Sequence, residues 1–403
     1  MPIRVAVAGA GAFGSNHLRV YRELEEAGQG VELVAAVEPD SARAGQAAEK
    51  YGIPVFAAAD ELLKADLKID AATVAVPTVH HHAVASALLD AGLDLLVEKP
   101  LAASLAEADD LCARAEKSGR ILQPGHLERF NPAVLAIEPK LRRPMFFEAH
   151  RLSVFTPRSL DVDVVLDLMI HDLDIVLKFA DSPVREVRAV GLPILSPKVD
   201  IANVRVEFES GCVANFTASR VSTERVRKLR FFEPRRYVSI DYARRDVLVI
   251  GVEEGGAKSS PAELFAALPP TVLEKLPAGI REGIASGKID LAKVDPKLIT
   301  QFAVMAGIDA SVIAALTGVG AAGVGMNLGP NLGLSFAKPE VTPGEPLRLE
   351  IEAFLDSVRT RRAPRVTARQ GREALALALE IQATMAAHAK RAGLDDFFHH
   401  NIS

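Results

Sequence analysis

The chain has 403 residues, of which 49 % are hydrophobic and 25 % are charged, and its formal net charge is −5. This length predicts two or three domains, each with its own core. The acidic balance argues against a nucleic-acid-binding protein, and the low aromatic content without tryptophan argues against a platform for stacked bases. The two cysteines form no CxxC pair, and the N-terminus has no secretion signal, so a reducing cytoplasm is expected.

The first apolar run ends in a glycine-rich turn. Gly9, Gly11 and Gly14 have the spacing GxGxxG, and a helical pattern follows them. Small residues let the backbone approach a pyrophosphate, and the start of a helix supplies amides for it. The turn therefore predicts a dinucleotide site that also includes Ala12 and Phe13; the alternative is a glycine-rich turn without a ligand.

The second apolar run, Val31–Val37, ends at Glu38. An acidic side chain at this point can accept both ribose hydroxyls of an adenosine, and it would repel a 2′-phosphate. The sequence therefore predicts NAD rather than NADP as the cofactor. Arg43 is the one nearby residue that could weaken this preference.

Strand and helix patterns alternate as far as Gln123, which predicts an α/β fold with a parallel, doubly wound sheet. Glu98, Lys99 and Pro100 follow a predicted strand, at the edge where open α/β sheets bind ligands. Lys99 is thus a candidate cation for a substrate oxygen; the alternative is a surface lysine at a strand end. The adjacent histidines at 80–82 cannot converge on one ion from a helix, so no metal site is predicted.

The segment 125–132, GHLERFNP, marks a change of domain. Asn131 and Pro132 are a favourable N-cap and first residue for the helix that follows. From Met145 onward, consecutive runs of alternating apolar residues are separated by turn residues. This pattern predicts a large, mostly antiparallel open sheet with one face on a core.

One helical pattern, at residues 164–177, interrupts these strands and is expected to lie across the mouth of the sheet. Asp167, His171 and Asp174 recur at i, i+4 and i+7 and share one side of this helix. A carboxylate one turn from a histidine can fix its tautomer and stabilise the proton that it takes. The helix is therefore a candidate for general base chemistry; the alternative is a solvent-facing polar stripe.

Five basic residues fall in or beside the fifth of the predicted strands: Arg220, Arg225, Arg227, Lys228 and Arg230. They alternate imperfectly with apolar residues. This favours a solvated strand edge, and the alternative is a patch that faces a diphosphate.

Residues 255–342 contain short helix candidates followed by glycine-rich coil, which is typical of a lid or an interface. Residues 310–336 carry no charge, but their glycines, Pro330 and polar residues argue against a membrane span. The predicted division is a dinucleotide-binding domain at 1–124, a second α/β domain at 125–254 and 343–392, an insertion at 255–342 and a tail at 393–403.

Four motifs occur together in this order: GxGxxG, the Glu38 strand end, Glu98-Lys99-Pro100, and Asp167 four residues before His171. In combination they resemble the Gfo/Idh/MocA family of oxidoreductases. The resemblance implies an N-terminal Rossmann domain, a C-terminal α/β domain built on an open sheet, and oxidation or reduction of a sugar alcohol carbon with NAD. It also implies that Lys99 contacts the sugar, that His171 is the acid/base, and that Asp167 is its partner.

The same resemblance implies further contacts. Those to the cofactor are expected at Pro77, His81, Glu98 and Lys99. Those to the substrate are expected at Lys99, His126, Arg129, Asn131, Asp167 and His171.

The stretches GHLERFNPA and DVVLDLMIHDLDIV resemble more specifically the branch that oxidises UDP-N-acetylglucosamine at C3. This implies a UDP-sugar substrate, an aminotransferase that continues towards a 2,3-diamino sugar for lipid A, and a dimer or tetramer formed through the C-terminal sheet, without nucleic-acid or membrane partners. The alternatives are a dehydrogenase of another sugar or cyclitol, such as inositol or a UDP-uronic acid, and a non-catalytic NAD or sugar sensor. Intact Lys99, Asp167 and His171 favour an enzyme, because a sensor needs no acid/base set.

Overall fold

The N-terminal part of the computed structural model, which describes residues 1–156, 162–254, 282 and 332–394, alternates strands with helices. The strands are Ile3–Ala8 (β1), Val31–Val37 (β2), Val55–Phe56 (β3), Ala71–Val74 (β4), Asp94–Glu98 (β5) and Leu122–Gly125 (β6). The helices are Ala12–Glu26 (α1), Ser41–Tyr51 (α2), Ala59–Lys64 (α3), His81–Asp90 (α4), Leu105–Ser118 (α5) and Pro132–Ile137 (α6). In the described residues these strands form one parallel sheet in the order β3-β2-β1-β4-β5-β6, which confirms the predicted doubly wound fold.

Local signals explain where these elements begin and end. Strands β1, β4 and β5 are nearly continuous apolar runs because helices cover both faces of the sheet. Helix α5 starts at Ser104, whose side chain accepts a hydrogen bond from the Glu107 amide, and it ends at Gly119 in the left-handed conformation. Asn131 caps α6 by accepting from the Ala133 amide, which confirms the predicted N-cap.

The C-terminal part contains a second sheet and its covering helices. Its strands are Phe146–Leu152 (β7), Val184–Leu192 (β8), Ile201–Phe208 (β9), Val213–Ser219 (β10), Val226–Glu233 (β11), Arg236–Asp241 (β12), Asp246–Glu254 (β13) and Leu332–Ala337 (β14). Its helices are Ile170–Ala180 (α7), Pro346–Thr360 (α8) and Ala368–Arg391 (α9).

The eight strands described in this sheet follow the order β14-β13-β12-β11-β7-β10-β9-β8. β7 and β10 pair in parallel and the other neighbours are antiparallel, which confirms the prediction of a mostly antiparallel sheet. Within the run 237–251 a turn separates β12 from β13. One face of the sheet packs against α7 and α9 around a single apolar core.

Helix α7 is preceded by a π-helical turn, Val165–Met169. Asp163 caps this turn, because its Oδ1 accepts hydrogen bonds from the amides of Val165 and Leu166 at 2.9 and 3.1 Å. Buried apolar residues of α7 face the sheet, as expected for a helix laid across it. The cap and this apolar face together fix where the polar residues of the helix lie.

Two segments differ from the sequence-based division. Residues 332–337, assigned to the insertion, form β14 at the edge of the large sheet. Helix α8, assigned to the second domain, packs Leu347, Ile351 and Phe354 into the core of the N-terminal sheet, beside α1. The apolar stripe of α8 predicted its burial but not which sheet would receive it.

Most of the predicted insertion, including its helix candidates, lies outside the described residues, as does most of the tail at 393–403. In the part of the chain that is described, no helix combines the length and the apolar character needed to cross a membrane.

Glu350 of α8 is a carboxyl group at the centre of the junction between the two sheets. Its side chain is fully buried, and neither carboxylate oxygen has a hydrogen-bond partner in the described residues. Burial, and then the negative charges of Glu98 and Asp174, raise its pKa well above the ordinary value of 4.5. Glu350 is therefore protonated in the folded protein over a pH range in which the unfolded chain would ionise it.

We expect Glu350→Gln to stabilise the protein at high pH. Between the pKa of the unfolded chain and that of the folded protein, only the folded state holds this proton, so the free energy of unfolding falls as the pH rises. Above both pKa values, each unit by which folding raises the pKa lowers the free energy of unfolding by about 1.4 kcal/mol. Glutamine removes this titration. Thermal melts at pH 5 and pH 8 should show a larger gain in Tm at pH 8, whereas the solvent-accessible Glu352→Gln on the same helix should show none. An unchanged pH slope in Glu350→Gln would contradict the assignment.

Candidate active site

The turn between β1 and α1 has three glycines with different environments. A Cβ on Gly9, where φ is +97°, would lie 2.6 Å from the carbonyl oxygen of Ala75. A Cβ on Gly14 would lie 1.8 Å from the carbonyl oxygen of Gly9, so α1 packs directly on the turn. Gly11, the N-cap of α1, has nothing within 4 Å of that position. The outer glycines permit close backbone packing and the middle one leaves open space at the helix start, which fits a dinucleotide pyrophosphate.

Glu38 lies at the carboxyl end of β2 and is almost completely buried. Its carboxylate accepts hydrogen bonds from the Ala10 amide at 2.8 Å, the Asp40 amide at 3.0 Å and Arg43 Nη2 at 2.8 Å. Burial alone would raise the pKa of Glu38, but these hydrogen bonds outweigh it and lower the pKa. Glu38 is thus an ionised acceptor beside the glycine turn. Its contact with an adenosine ribose stays a prediction.

The other predicted cofactor residues follow neighbouring strands of the same sheet. Ala12 and Phe13 are exposed at the start of α1, after β1. Pro77 is exposed after β4, and Lys99 follows β5. All four therefore lie at the carboxyl edge of the sheet, where a dinucleotide would cross it.

His81 and Glu98 have contacts that differ from the predicted cofactor role. The buried His81 ring lies 2.9 Å from the carbonyl oxygens of both Pro100 and Val76, so it joins the loops after β4 and β5. Glu98 Oε1 lies 2.8 Å from Nε2 of the buried His17, which links β5 to α1. Their contacts shape the loops around the cofactor edge, because polar atoms in a dry interior take protein partners.

Lys99 reaches from the N-terminal sheet to the turn before α7. Its Nζ donates to the carbonyl oxygen of Asp167 at 2.8 Å, lies 3.4 Å from that of Leu166, and is 3.9 Å from Asp167 Oδ1. Burial lowers the pKa of Lys99, and the charges of Asp167 and Glu98 partly oppose this. The predicted sugar-contacting lysine thus lies against the helix that carries His171.

The His171 ring has no hydrogen bond in the described residues, and its Nδ1 is buried. Burial, followed by the positive charges of Lys99, Arg151, His126 and Arg227, lowers its pKa well below the ordinary 6.5. His171 is therefore neutral near pH 7 and can accept a proton. This is the protonation state that a general base requires.

The predicted polar stripe does not form one network. Asp167 directs its carboxylate towards Lys99, and no described contact joins it to the His171 ring. Asp174 is buried, with Oδ2 3.2 Å from Nε of Arg129. The expected orientation of the ring by Asp167 therefore has no supporting contact, since both carboxylates lie beside cations of other segments.

A buried ion network beneath His171 was not identified from the sequence. Arg151 of β7 binds Asp172 with two hydrogen bonds, of 2.7 and 3.0 Å, and binds Glu128 Oε1 at 3.0 Å. The Tyr242 ring stacks on the guanidinium at 5.1 Å. The sequence signal for this network consisted of single acidic residues beside apolar ones. These residues are Asp172, next to His171, and Glu128, in the domain-change motif.

The three predicted substrate residues of the domain-change motif are buried at the domain junction. Arg129 pairs with Asp174 and donates to Gln370 Oε1 at 3.1 Å. Asn131 donates to the Tyr242 carbonyl at 3.0 Å and caps α6. His126 Nδ1 lies 4.0 Å from Asp174. Asn131 therefore has no amide donor left for a substrate, because Glu128 Oε2 and the Tyr242 carbonyl accept both. Nε of Arg129 and both ring nitrogens of His126 have no hydrogen-bond partner in the described residues.

The fold and the site together define an oxidoreductase with a dinucleotide-binding domain. Residues 3–126 match the Gfo/Idh/MocA model described as an oxidoreductase family with an NAD-binding Rossmann fold. Residues 135–235 match the Gfo/Idh/MocA C-terminal domain. The chain belongs to the Gfo/Idh/MocA family, and it is an NAD-dependent sugar dehydrogenase that acts on a CH–OH group.

Two named dehydrogenases are among the relatives that this chain resembles. The chain is 36 % identical over 241 residues to UDP-N-acetylglucosamine 3-dehydrogenase of Acidithiobacillus ferrooxidans. The aligned region covers 60 % of this chain and 74 % of that protein. A solved structure of that enzyme superposes with a TM-score of 0.73 and 26 % identity, over 99 % of this chain and 100 % of the other. Scyllo-inositol 2-dehydrogenase (NAD(+)) of Bacillus subtilis is 27 % identical over 235 residues, covering 55 % of this chain and 68 % of that protein.

We expect Glu38→Ala to weaken the preference for NAD over NADP. The substitution removes the ribose acceptor and frees the guanidinium of Arg43 for a 2′-phosphate, and each such charge-assisted hydrogen bond is worth about tenfold in affinity. Calorimetric Kd values for both dinucleotides should show the ratio shifting towards NADP, while Glu32→Ala on the same strand leaves it unchanged. Tighter binding of NADP than NAD by the wild type would overturn the assignment.

Proposed function

We propose that the chain oxidises UDP-N-acetylglucosamine at C3 to the 3-keto sugar, with NAD as the hydride acceptor. The observation that carries the proposal is the convergence of a neutral histidine, His171, and a partly buried cation, Lys99, next to the cofactor edge of the Rossmann sheet. The choice of sugar and carbon is supported by the 36 % identity to an enzyme of that name.

The chemistry divides between these two side chains. Oxidation of an alcohol requires the hydroxyl proton to leave as hydride departs from carbon, and bound NAD accepts that hydride. His171 takes the proton at Nε2, because Nδ1 is buried. Lys99 donates a hydrogen bond to the same substrate oxygen and stabilises the negative charge that develops on it.

Asp167 acts through Lys99 in this proposal. Its carboxylate raises the pKa of Lys99 against the effect of burial and so keeps the ammonium charged. Asp167 is therefore a positioning residue for the cation, in place of the expected role as partner of His171.

The chemistry of the product indicates which class of enzyme would act on it next. A 3-keto sugar carries a carbonyl that condenses with an amine, so an aminotransferase that forms a 2,3-diamino sugar, as in lipid A synthesis, is the proposed consumer. The inositol relative supports a second candidate, oxidation of a cyclitol.

Incubation with NAD and separate samples of UDP-N-acetylglucosamine, UDP-glucuronic acid and inositol distinguishes these candidates. We expect NADH absorbance to rise fastest with UDP-N-acetylglucosamine, and NMR of the product to place the carbonyl at C3. A carbonyl at C4, or faster turnover of inositol, would exclude the proposed reaction.

We expect His171→Ala to lower kcat by roughly 10²- to 10⁴-fold with nucleotide affinity largely intact, since only the general base is lost. Lys99→Met should also lower kcat, because it removes the cation beside the developing charge. The matched control is His82→Ala, a histidine that pairs with Asp110 outside the site. Near-normal turnover in both site variants would refute these roles.

In the wild type, the acidic limb of the pH profile of kcat/KM should lie below pH 6.5, because the pKa of His171 is lowered in the folded protein.

We also propose that the outer face of the large sheet pairs with a second copy of the chain. Phe146, Phe232 and Tyr237 are neighbours on three adjacent strands, with ring centroids 5.5 and 5.2 Å apart, and Phe232 is 37 % exposed. A row of aromatic rings on an open sheet face favours burial against another surface.

Phe232→Asp should reduce the mass measured by light scattering, because it places a charge in this row. Val79→Asp changes an exposed apolar residue of the other domain and should leave the mass unchanged. A wild-type monomer would rule out the pairing.

A further inference from the structure

Arg227 lies on the inner face of its strand. In β11 it alternates with Leu229 and Phe231, both fully buried in the core, and its strand neighbour in β7 is Arg151. Arg227 is nevertheless exposed, so the sheet face is open at this end of β11. An arginine that contacts only solvent would be expected on the outer face of the sheet, where Lys228 and Arg230 lie.

Arg227 has no counterion in direct contact within the part of the chain that the structure describes. Within the described ranges, neither Arg227 nor the nearby exposed Arg225 makes a side-chain hydrogen bond or ion pair, whereas Arg151 binds two carboxylates. Burial and then the like charge of Arg151 lower the pKa of Arg227, and Arg225 lowers it further. The carboxylates of Glu128 and Asp172 oppose this shift only in part. The like charges of Arg227 and Arg225 repel each other, and an anion bound between the two guanidinium groups would remove that cost.

Arg227 also lies near His171. The charge of Arg227 is one of those that lower the pKa of His171. The Arg227 carbonyl accepts a hydrogen bond from the amide of Tyr242, whose ring stacks on Arg151. The backbone of Arg227 is thus fixed to the network beneath the catalytic helix.

We propose that Arg227, assisted by Arg225, binds the diphosphate of the substrate. This inference rests on the proposed function, because it takes the substrate to be a nucleotide sugar. Planar guanidinium groups match phosphate oxygens with paired hydrogen bonds, and two of them suit an anion with two phosphates. The diphosphate would hold the sugar with its reacting carbon at His171 and Lys99. Arg220 belongs to the same predicted basic patch, but its side chain is buried. Its Nε lies 3.6 Å from Oδ1 of Asp200, so we assign it a structural role.

The test is calorimetric titration of the NAD-loaded enzyme with UDP, pyrophosphate and uridine. Arg227→Ala should raise the Kd for UDP and for pyrophosphate about tenfold or more, since hydrogen bonds to a charged group are lost. Arg227→Lys should recover part of the affinity, because it keeps the charge without the paired geometry. The control is Arg143→Ala, an exposed arginine before the opposite end of β7. Thermal unfolding of each variant verifies the fold.

In turnover assays, Arg227→Ala should raise KM for the UDP-sugar by a larger factor than it changes kcat. An unchanged UDP affinity in Arg227→Ala, or an equal loss in Arg143→Ala, overturns the inference. If UDP-N-acetylglucosamine yields NADH while Arg227→Ala binds UDP normally, the proposed function stands and the diphosphate site fails. If no NADH forms while Arg227→Ala loses UDP binding, the diphosphate site stands and the proposed reaction fails.

Discussion

The buried guanidinium of Arg151 holds the catalytic region together. It binds Asp172 of α7 and Glu128 of the segment after β6, so one side chain joins the large sheet, its covering helix and the domain junction. Removing one partner from such a buried group leaves an uncompensated charge, which typically costs about 3–5 kcal/mol. Since Asp172 directly follows His171, the same ion pair fixes the base. The network is therefore a structural requirement of the site, although none of its members needs to touch a substrate.

The charges around this network assign different protonation states to neighbouring groups. Burial lowers the pKa of both Lys99 and His171. The carboxylate of Asp167 partly opposes this at Lys99, whereas nearby cations add to it at His171 and favour the neutral imidazole. A fixed cation and a neutral base are thus available at the same pH. Both pKa values are lowered, and the difference between the two groups comes from the sign of the charges beside each of them.

Local features of the chain were predictable from sequence, and contacts between distant segments were not. The glycine turn, Glu38 and the position of Lys99 after a strand depend on neighbours in sequence, so pattern and spacing predicted them. The contacts of Asp174 and Arg129 and the burial of Glu350 depend on how two sheets meet, which no local pattern encodes. The i, i+4 spacing put Asp167 and His171 on one helix side, but Lys99, which approaches from another domain, decides where the carboxylate points.

Helix α8 completes the core of the N-terminal sheet even though it follows the second sheet in the chain. During synthesis, at about 5–20 residues per second, the ribosome would deliver it on the order of ten seconds or more after β6. Until then the nascent Rossmann half exposes the apolar groove that Leu347, Ile351 and Phe354 later fill. The first domain is therefore not an autonomous cotranslational unit, and a fragment that ends near residue 124 would emerge with an unfilled, aggregation-prone core.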